Sequence, residues 1–149
     1  NTVMAMEKIR EGPVLAIPEH VAYLSPKEIV FPTDYKDTYK RSELRYLIEL
    51  AKMHNAEIAI LHLNKKKELT ESQLKNQQLL KSILSEVKHE FHNLTESNIG
   101  KGIESFVESR ESDMVAFINR KHFFFGNVFS RPLIKEIGYD SDVPILALH

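Results

Sequence analysis

Ile29-Val30-Phe31-Pro32-Thr33-Asp34 is an apolar run that stops at a polar pair. A strand covered on both faces shows no polar alternation, so residues 29–33 are predicted to form a buried parallel strand that ends in a turn at Asp34. Downstream, Leu44, Leu47, Ile48 and Ala51 recur at helical intervals among Lys, Arg and Glu, the stripe of a helix lying on a sheet, and Asn55 ends it. Residues 57–63 (EIAILHL) repeat the buried-strand pattern, and the basic run 65–67 separates them from a longer helical pattern. Thr70 with Gln73 has capping-box spacing at its start, and Leu80, Ile83, Leu84, Val87 and Phe91 form its stripe. A third strand is placed at residues 92–97, a helical face at Ile99, Ile103, Phe106 and Val107, and further strands at 113–118 and 143–148. Ser130 followed by Pro132 opens a short helix before the last strand, carrying Leu133, Ile134 and Ile137. Strands alternating with helices predict a doubly wound α/β fold, a mostly parallel five-stranded sheet with helices on both faces.

The 149 residues suit one compact domain, and 42% hydrophobic against 28% charged residues lies well away from disordered compositions. Twenty basic and 21 acidic residues leave a net charge of −1, so no bulk field favours nucleic acid or an anionic membrane. The absence of cysteine excludes disulfides, thiolate metal sites and cysteine nucleophiles. No apolar run approaches a membrane span and no secretory layout opens the sequence, so a soluble, cytoplasmic protein is expected.

The first 26 residues precede this alternation and resemble its ending. Pro13-Val14-Leu15-Ala16-Ile17 matches Pro144-Ile145-Leu146-Ala147-Leu148 position by position, the trace of a duplication. Residues 1–20 are accordingly expected to be the last helix and strand of a preceding, truncated unit, residues 21–26 a linker, and residues 27–149 the complete domain.

The order of elements, the Thr33-Asp34 turn and the strand–loop–helix–strand run over 113–148 resemble the universal stress protein family. The resemblance implies a site for an adenine nucleotide, ATP or AMP, at the carboxyl ends of the strands. Asp34 matches the family's strand-one aspartate, and Leu63 stands where the family lines the base pocket. The family's phosphate loop has two glycines three residues apart, then a glycine with Ser or Thr after nine more residues. In an ungapped reading from Asp113 to Pro144, Ile118, Lys121 and Arg131 occupy the glycine positions and Pro132 the Ser/Thr position. Long or β-branched side chains and a proline remove the backbone freedom and the amide that such a loop needs. A shift that uses Gly126 recovers one glycine at the expense of five loop residues. No nucleotide is therefore expected; the alternative is binding through Asp34, Leu63, Arg120, Lys121 and Arg131, with charge in place of glycine.

The resemblance also implies pairing of terminal strands across a two-fold axis. Val14, Leu15, Ala16 and Ile17 are the expected partners of Ile145, Leu146, Ala147 and Leu148, within one chain as a tandem pair or between two chains as a homodimer. His89 and His92, placed three apart on one helix face, lack a third ligand, so no metal site is expected; His62 reads as a core histidine. No nucleophile elbow or catalytic carboxylate pair stands out, so an enzyme is not expected. Phe123, Phe124, Phe125 and Phe129 crowd a loop that either folds back over the sheet or offers a hydrophobic patch to a partner protein. The expected role is a non-catalytic stress-response domain that works through dimerisation or protein contacts.

Overall fold

The computed structural model describes residues 12–64, 68–118 and 142–149. Their elements run β1 (Val14–Ala16), β2 (Glu28–Thr33), α1 (Arg41–His54), β3 (Glu57–Asn64), α2 (Glu71–Ile83), β4 (His89–Thr95), α3 (Ile99–Arg110), β5 (Met114–Ile118) and β6 (Ile145–Leu148). Six strands form one sheet among the described residues, in the order β1-β6-β5-β2-β3-β4. Every neighbouring pair is parallel except β1 with β6. The α/β sheet with helices on both faces is the predicted class, with β1 as a sixth strand.

Local chemistry explains the helix limits. Thr70 caps α2: Gln73 N donates to Thr70 Oγ1 at 3.2 Å and Thr70 N donates to Gln73 Oε1 at 2.9 Å, the predicted box. Asn55 closes α1 in the left-handed region at φ 51°, a conformation its short polar side chain tolerates, and its N–H reaches carbonyls of the last turn. Period-two burial then sorts the core. Ile29, Phe31, Ile58, Ile60, Ala116 and Leu146 join Leu44, Leu47 and Leu80 on the face covered by α1 and α2. Val30, Ala59, Leu61, Val115 and Ala147 join Ile103 on the face covered by α3.

One stretch differs from expectation. Helix α2 stops at Ile83, and the third strand of the alternation starts at His89 instead of His92. Val87 and Phe91 fall on the helical period by coincidence. Val87 N donates to Leu84 O in a turn, and Phe91 lies in β4 opposite Ile60. β4 is an edge strand with half-buried and exposed positions mixed, so it lacks the continuous apolar run that marks β2 and β3. The predicted helix after Ser130, the phenylalanine cluster and the segment before residue 12 lie outside the described residues.

Strand β2 is central, and its two ladders are unequal. All six residues pair with β3, whereas only Ile29 and Val30 pair with β5. Pro32 has no N–H to contribute, and the β5 ladder ends before it. At the opposite end the two strands are clasped. Asp113 Oδ2 accepts from Lys27 N at 2.8 Å and Glu28 N at 3.0 Å, while Asp113 N donates to Glu28 O at 3.0 Å. Arg110 donates twice to the Glu28 carboxylate, at 2.9 and 2.7 Å, and Ser112 Oγ donates at 2.7 Å. The Arg110 hydrogen bond holds the Glu28 carboxyl below its ordinary range despite partial burial.

Gly102 in α3 lets that helix lie on β3, because a Cβ there would meet Leu63 Cδ2 at 2.7 Å. Leu63 is itself buried and has little room to move. The Gly102→Val substitution is expected to destabilise the fold by roughly 1–3 kcal/mol through overpacking, read as a lowered midpoint in urea with an unchanged m-value.

Candidate functional site

Strand order reverses about β2: β3 and β4 lie to one side, β5 and β6 to the other. Doubly wound sheets take ligands at the carboxyl ends of the strands beside such a reversal. Thr33 at the end of β2 stands there with Asp34 and Tyr35 just after it, His62 and Leu63 at the end of β3, Asn93 near the end of β4, and Ile118 at the end of β5.

Asp34 combines two roles. Its Oδ1 accepts from Lys36 N at 3.0 Å, an Asx turn that redirects the chain out of β2. Its Oδ2 is buried and has no hydrogen-bond partner among the described residues. Burial raises the Asp34 pKa, with the Lys36 backbone bond opposing it. A buried acceptor without a donor is uncommon in folded proteins.

Tyr35 carries the strain of the turn. Its φ is 57°, a region where a bulky side chain is disfavoured by roughly 1–2 kcal/mol, yet the residue is fully buried. Several contacts hold it: Tyr35 N donates to Thr33 Oγ1 at 3.2 Å, and Asn76 Nδ2 donates to Tyr35 O at 2.7 Å. Gln73 Nε2 donates to Asp34 O at 2.9 Å, so the first turns of α2 brace the turn after β2. The Tyr35 ring stacks on His62, with centroids 4.8 Å apart and planes at 24°. Burial pushes the Tyr35 phenol up to about 12, so it stays a neutral hydroxyl. Burial also lowers the His62 pKa, against smaller upward effects from Asn93 and Asp34. The arrangement is a neutral aromatic pair beside a carboxylate with one acceptor left open by the described residues, suited to a hydroxyl or amino donor.

Leu63 packs beneath α3 with Leu61 and Ile103, so its side chain belongs to the sheet core. Ile118 continues β5 opposite Leu148 and is buried. Arg120, Lys121, Arg131 and Pro132 lie outside the described residues. His89 and His92 stand on strand β4, where a spacing of three puts them on opposite faces, which corrects the shared helix face expected for them. His89 Nδ1 lies 2.9 Å from Val87 O, and the His92 ring meets Phe106 at 5.2 Å. Among the described residues no group of three or more His, Asp or Glu side chains is arranged to hold a metal, and no helix is long and apolar enough to cross a membrane. Sequence reading found Asp34 but missed Tyr35, Gln73 and Asn76 as its neighbours. The polar residues Gln73, Asn76 and Gln77 at helical spacing on α2 were the available signal.

The architecture matches solved structures at low sequence identity. A universal stress protein from Archaeoglobus fulgidus superposes with a TM-score of 0.60 at 19% identity, covering 83% of this chain and 93% of its own. A universal stress protein from the same organism in complex with dAMP gives 0.59 at 15% identity, covering 85% and 100%. A third from that organism gives 0.61 at 14% identity over 91% of this chain but 48% of its own length. The fold is that of the universal stress proteins. No protein-family model matches the chain, and no curated protein sequence matches it. In this universal-stress-protein fold the turn bearing Asp34 stands at the sheet's reversal point, next to the short β2–β5 ladder.

Two pH effects follow, of opposite sign. Because the folded Asp34 pKa is raised, the charged form is disfavoured in the fold; Asp34→Asn should raise the melting temperature at pH 7 by a few degrees and lose that advantage as pH falls below the ordinary aspartate value of about 3.9. Because the folded His62 pKa is lowered, its contribution is complete above its ordinary value of 6.5 and is lost as pH falls below it. His62→Phe keeps a ring against Tyr35 and should flatten the loss of stability between pH 7.5 and 5.5 in denaturant titrations.

Proposed function

We propose that this is a non-catalytic stress-response domain of the universal-stress-protein kind that acts through dimerisation or protein contacts and does not bind ATP. The observation that supports this reading is Ile118. The resemblance puts the first glycine of the phosphate loop at this position, and here it is a buried β-branched residue in the β5–β6 ladder opposite Leu148. A backbone committed to a ladder and a side chain committed to the core leave no cradle of free amides at that point. Residues 1–20 read as the end of a preceding unit of the same fold, since Val14-Leu15-Ala16 of β1 resembles Ile145-Leu146-Ala147 of β6 and lies against it. The third solved relative, about twice the length matched by this chain, suits such a two-unit arrangement.

A second reading rests on the open Oδ2 of Asp34. That acceptor suits an amino or hydroxyl donor of an adenine nucleoside, and one solved relative is in complex with dAMP. Under this reading AMP or ATP binds through the nucleoside end, with Arg120, Lys121 and Arg131 meeting the phosphate.

Calorimetry and thermal melts with ATP and magnesium test the first reading. The expected outcome is no heat above dilution and no shift of the melting temperature, because a ligand present at 100 times its Kd would add about 2.7 kcal/mol of stability. Micromolar binding would overturn it. The second reading then requires that Asp34→Ala lose AMP binding at least tenfold; unchanged affinity in that variant overturns the nucleoside assignment.

A further inference from the structure

His62 is buried near the end of β3, between Thr33 of β2 and Asn93 of β4 in the register of the sheet. Its ring stacks on that of Tyr35, with centroids 4.8 Å apart. The hydrogen-bond partners of the ring are the Asp34 carbonyl and the Asn93 side chain, and the Asp34 carboxylate acts on it through charge. A neutral imidazole has one N–H and one acceptor nitrogen. A carbonyl only accepts, so the N–H goes to Asp34 O and the other nitrogen accepts from the amide N–H of Asn93. A second proton makes both nitrogens donors, and Asn93 then has to present its oxygen. It is able to do so, because its side chain carries donor and acceptor on one rotor and the residue is exposed.

We propose that His62, Asn93 and Asp34 form a proton-operated switch at the tips of β2, β3 and β4: His62 takes a proton from solvent, Asn93 turns its amide over, and the charge of Asp34 is balanced without release of the turn after β2. The switch goes beyond the proposed function and does not depend on whether a nucleotide binds.

The groups packed around the ring leave these three as the moving parts. From β2, Thr33 Oγ1 is engaged by the Tyr39 hydroxyl and by Tyr35 N. From α2, Gln73 Nε2 donates to Asp34 O, Asn76 Nδ2 to Tyr35 O and Gln77 Nε2 to the Tyr35 hydroxyl. Helix α1 contributes apolar side chains on this face, Leu44 and Leu47 among them. The Tyr35 phenol, pushed up to about 12, stays neutral. In the turn, Lys36 and Asp37 act on Asp34 with opposite signs.

The acceptor Oδ2 of Asp34, buried and without a partner among the described residues, gives the second proton its counter-charge. Once His62 is protonated, each of the two groups holds the other in its charged form. The stack on Tyr35 survives the change, since a cation over an aromatic face is attracted to it. Neutral conditions therefore leave a buried carboxylate with an open acceptor at the tip of β2, and acid conditions leave a balanced pair. Burial sets the working range. It lowers the His62 pKa, so the proton arrives on the acid side of the ordinary 6.5, and part of the stability is lost there while the chain remains folded.

Nuclear magnetic resonance of the histidine rings in the full chain, between about pH 8 and 5, tests the switch. The chain has seven histidines, and the signals of His62 are those missing from His62→Gln. They should titrate below pH 6.5 in a chain that is still folded. In Asp34→Asn the counter-charge is gone, and the midpoint should move to lower pH. Asn93→Leu alters an exposed position and removes the second acceptor, so it should fold and move the midpoint the same way. The side-chain amide signals of Asn93, identified by their absence from that variant, should shift with the midpoint of the ring.

An unmoved midpoint in Asp34→Asn overturns the proposal, as does a His62 ring that stays neutral until the chain unfolds. Asn93 signals that do not follow the ring overturn it too. Tyr35 ring signals that move to unfolded positions at the His62 midpoint would mean that the turn melts, and would also overturn it. Micromolar ATP binding would remove the proposed function and leave this switch standing.

Discussion

The architecture depends on β2 being paired along both edges and covered on both faces. A strand in that position has no exposed side on which to place a polar residue, which is why Ile29, Val30 and Phe31 are buried without alternation. Because its neighbours β3 and β5 are both parallel to it, the chain has to cross over the sheet to reach each of them, and α1 and α3 are elements of those crossovers. Once β2 is set, the remaining order follows as successive additions outward. The same requirement fixes the reversal of strand order at β2, and so the place where the turn residues Thr33, Asp34 and Tyr35 come together.

Much of this was legible because the signals are local and physical. Continuous apolar runs marked β2, β3 and β5, the Thr70–Gln73 box marked the start of α2, and Asn55 marked the end of α1. β4 was misplaced for an equally physical reason. An edge strand is solvated along one side, so its sequence carries charges and histidines that resemble the end of a helix, and Phe91 happened to extend the stripe of α2. The sixth strand was visible only as a repeat. Three residues, Val14 to Ala16, are too few to identify a strand by pattern, and it was their match to β6 that gave them meaning.

The site was less legible because it is made by long-range contacts. Asp34 could be singled out from its place after a buried strand, but nothing in its neighbourhood announces a carboxylate with one oxygen satisfied and one open. The left-handed backbone at Tyr35 could not be read from residue type, since that conformation ordinarily selects Gly, Asn or Asp. It is held by Asn76, 41 positions away, and by the ring of His62 on another strand. His62 was correctly placed in the core from its apolar neighbours, while its stacking partner was a matter of tertiary geometry.

The unequal ladders of β2 give the sheet a direction in its mechanics. At the amino ends, Asp113, Arg110 and Ser112 tie Lys27 and Glu28 to the β5 side through a cluster of short polar bonds. At the carboxyl ends, the ladder has already stopped when the chain reaches Pro32. Two strands joined at one end and released at the other behave as a hinge whose pin lies far from its opening. A group that enters between the tips of β2 and β5 works against a ladder of two residues and leaves the clasp intact. The polar ties between β2 and the β5 side described here thus lie at the amino ends, away from the tip that carries Asp34.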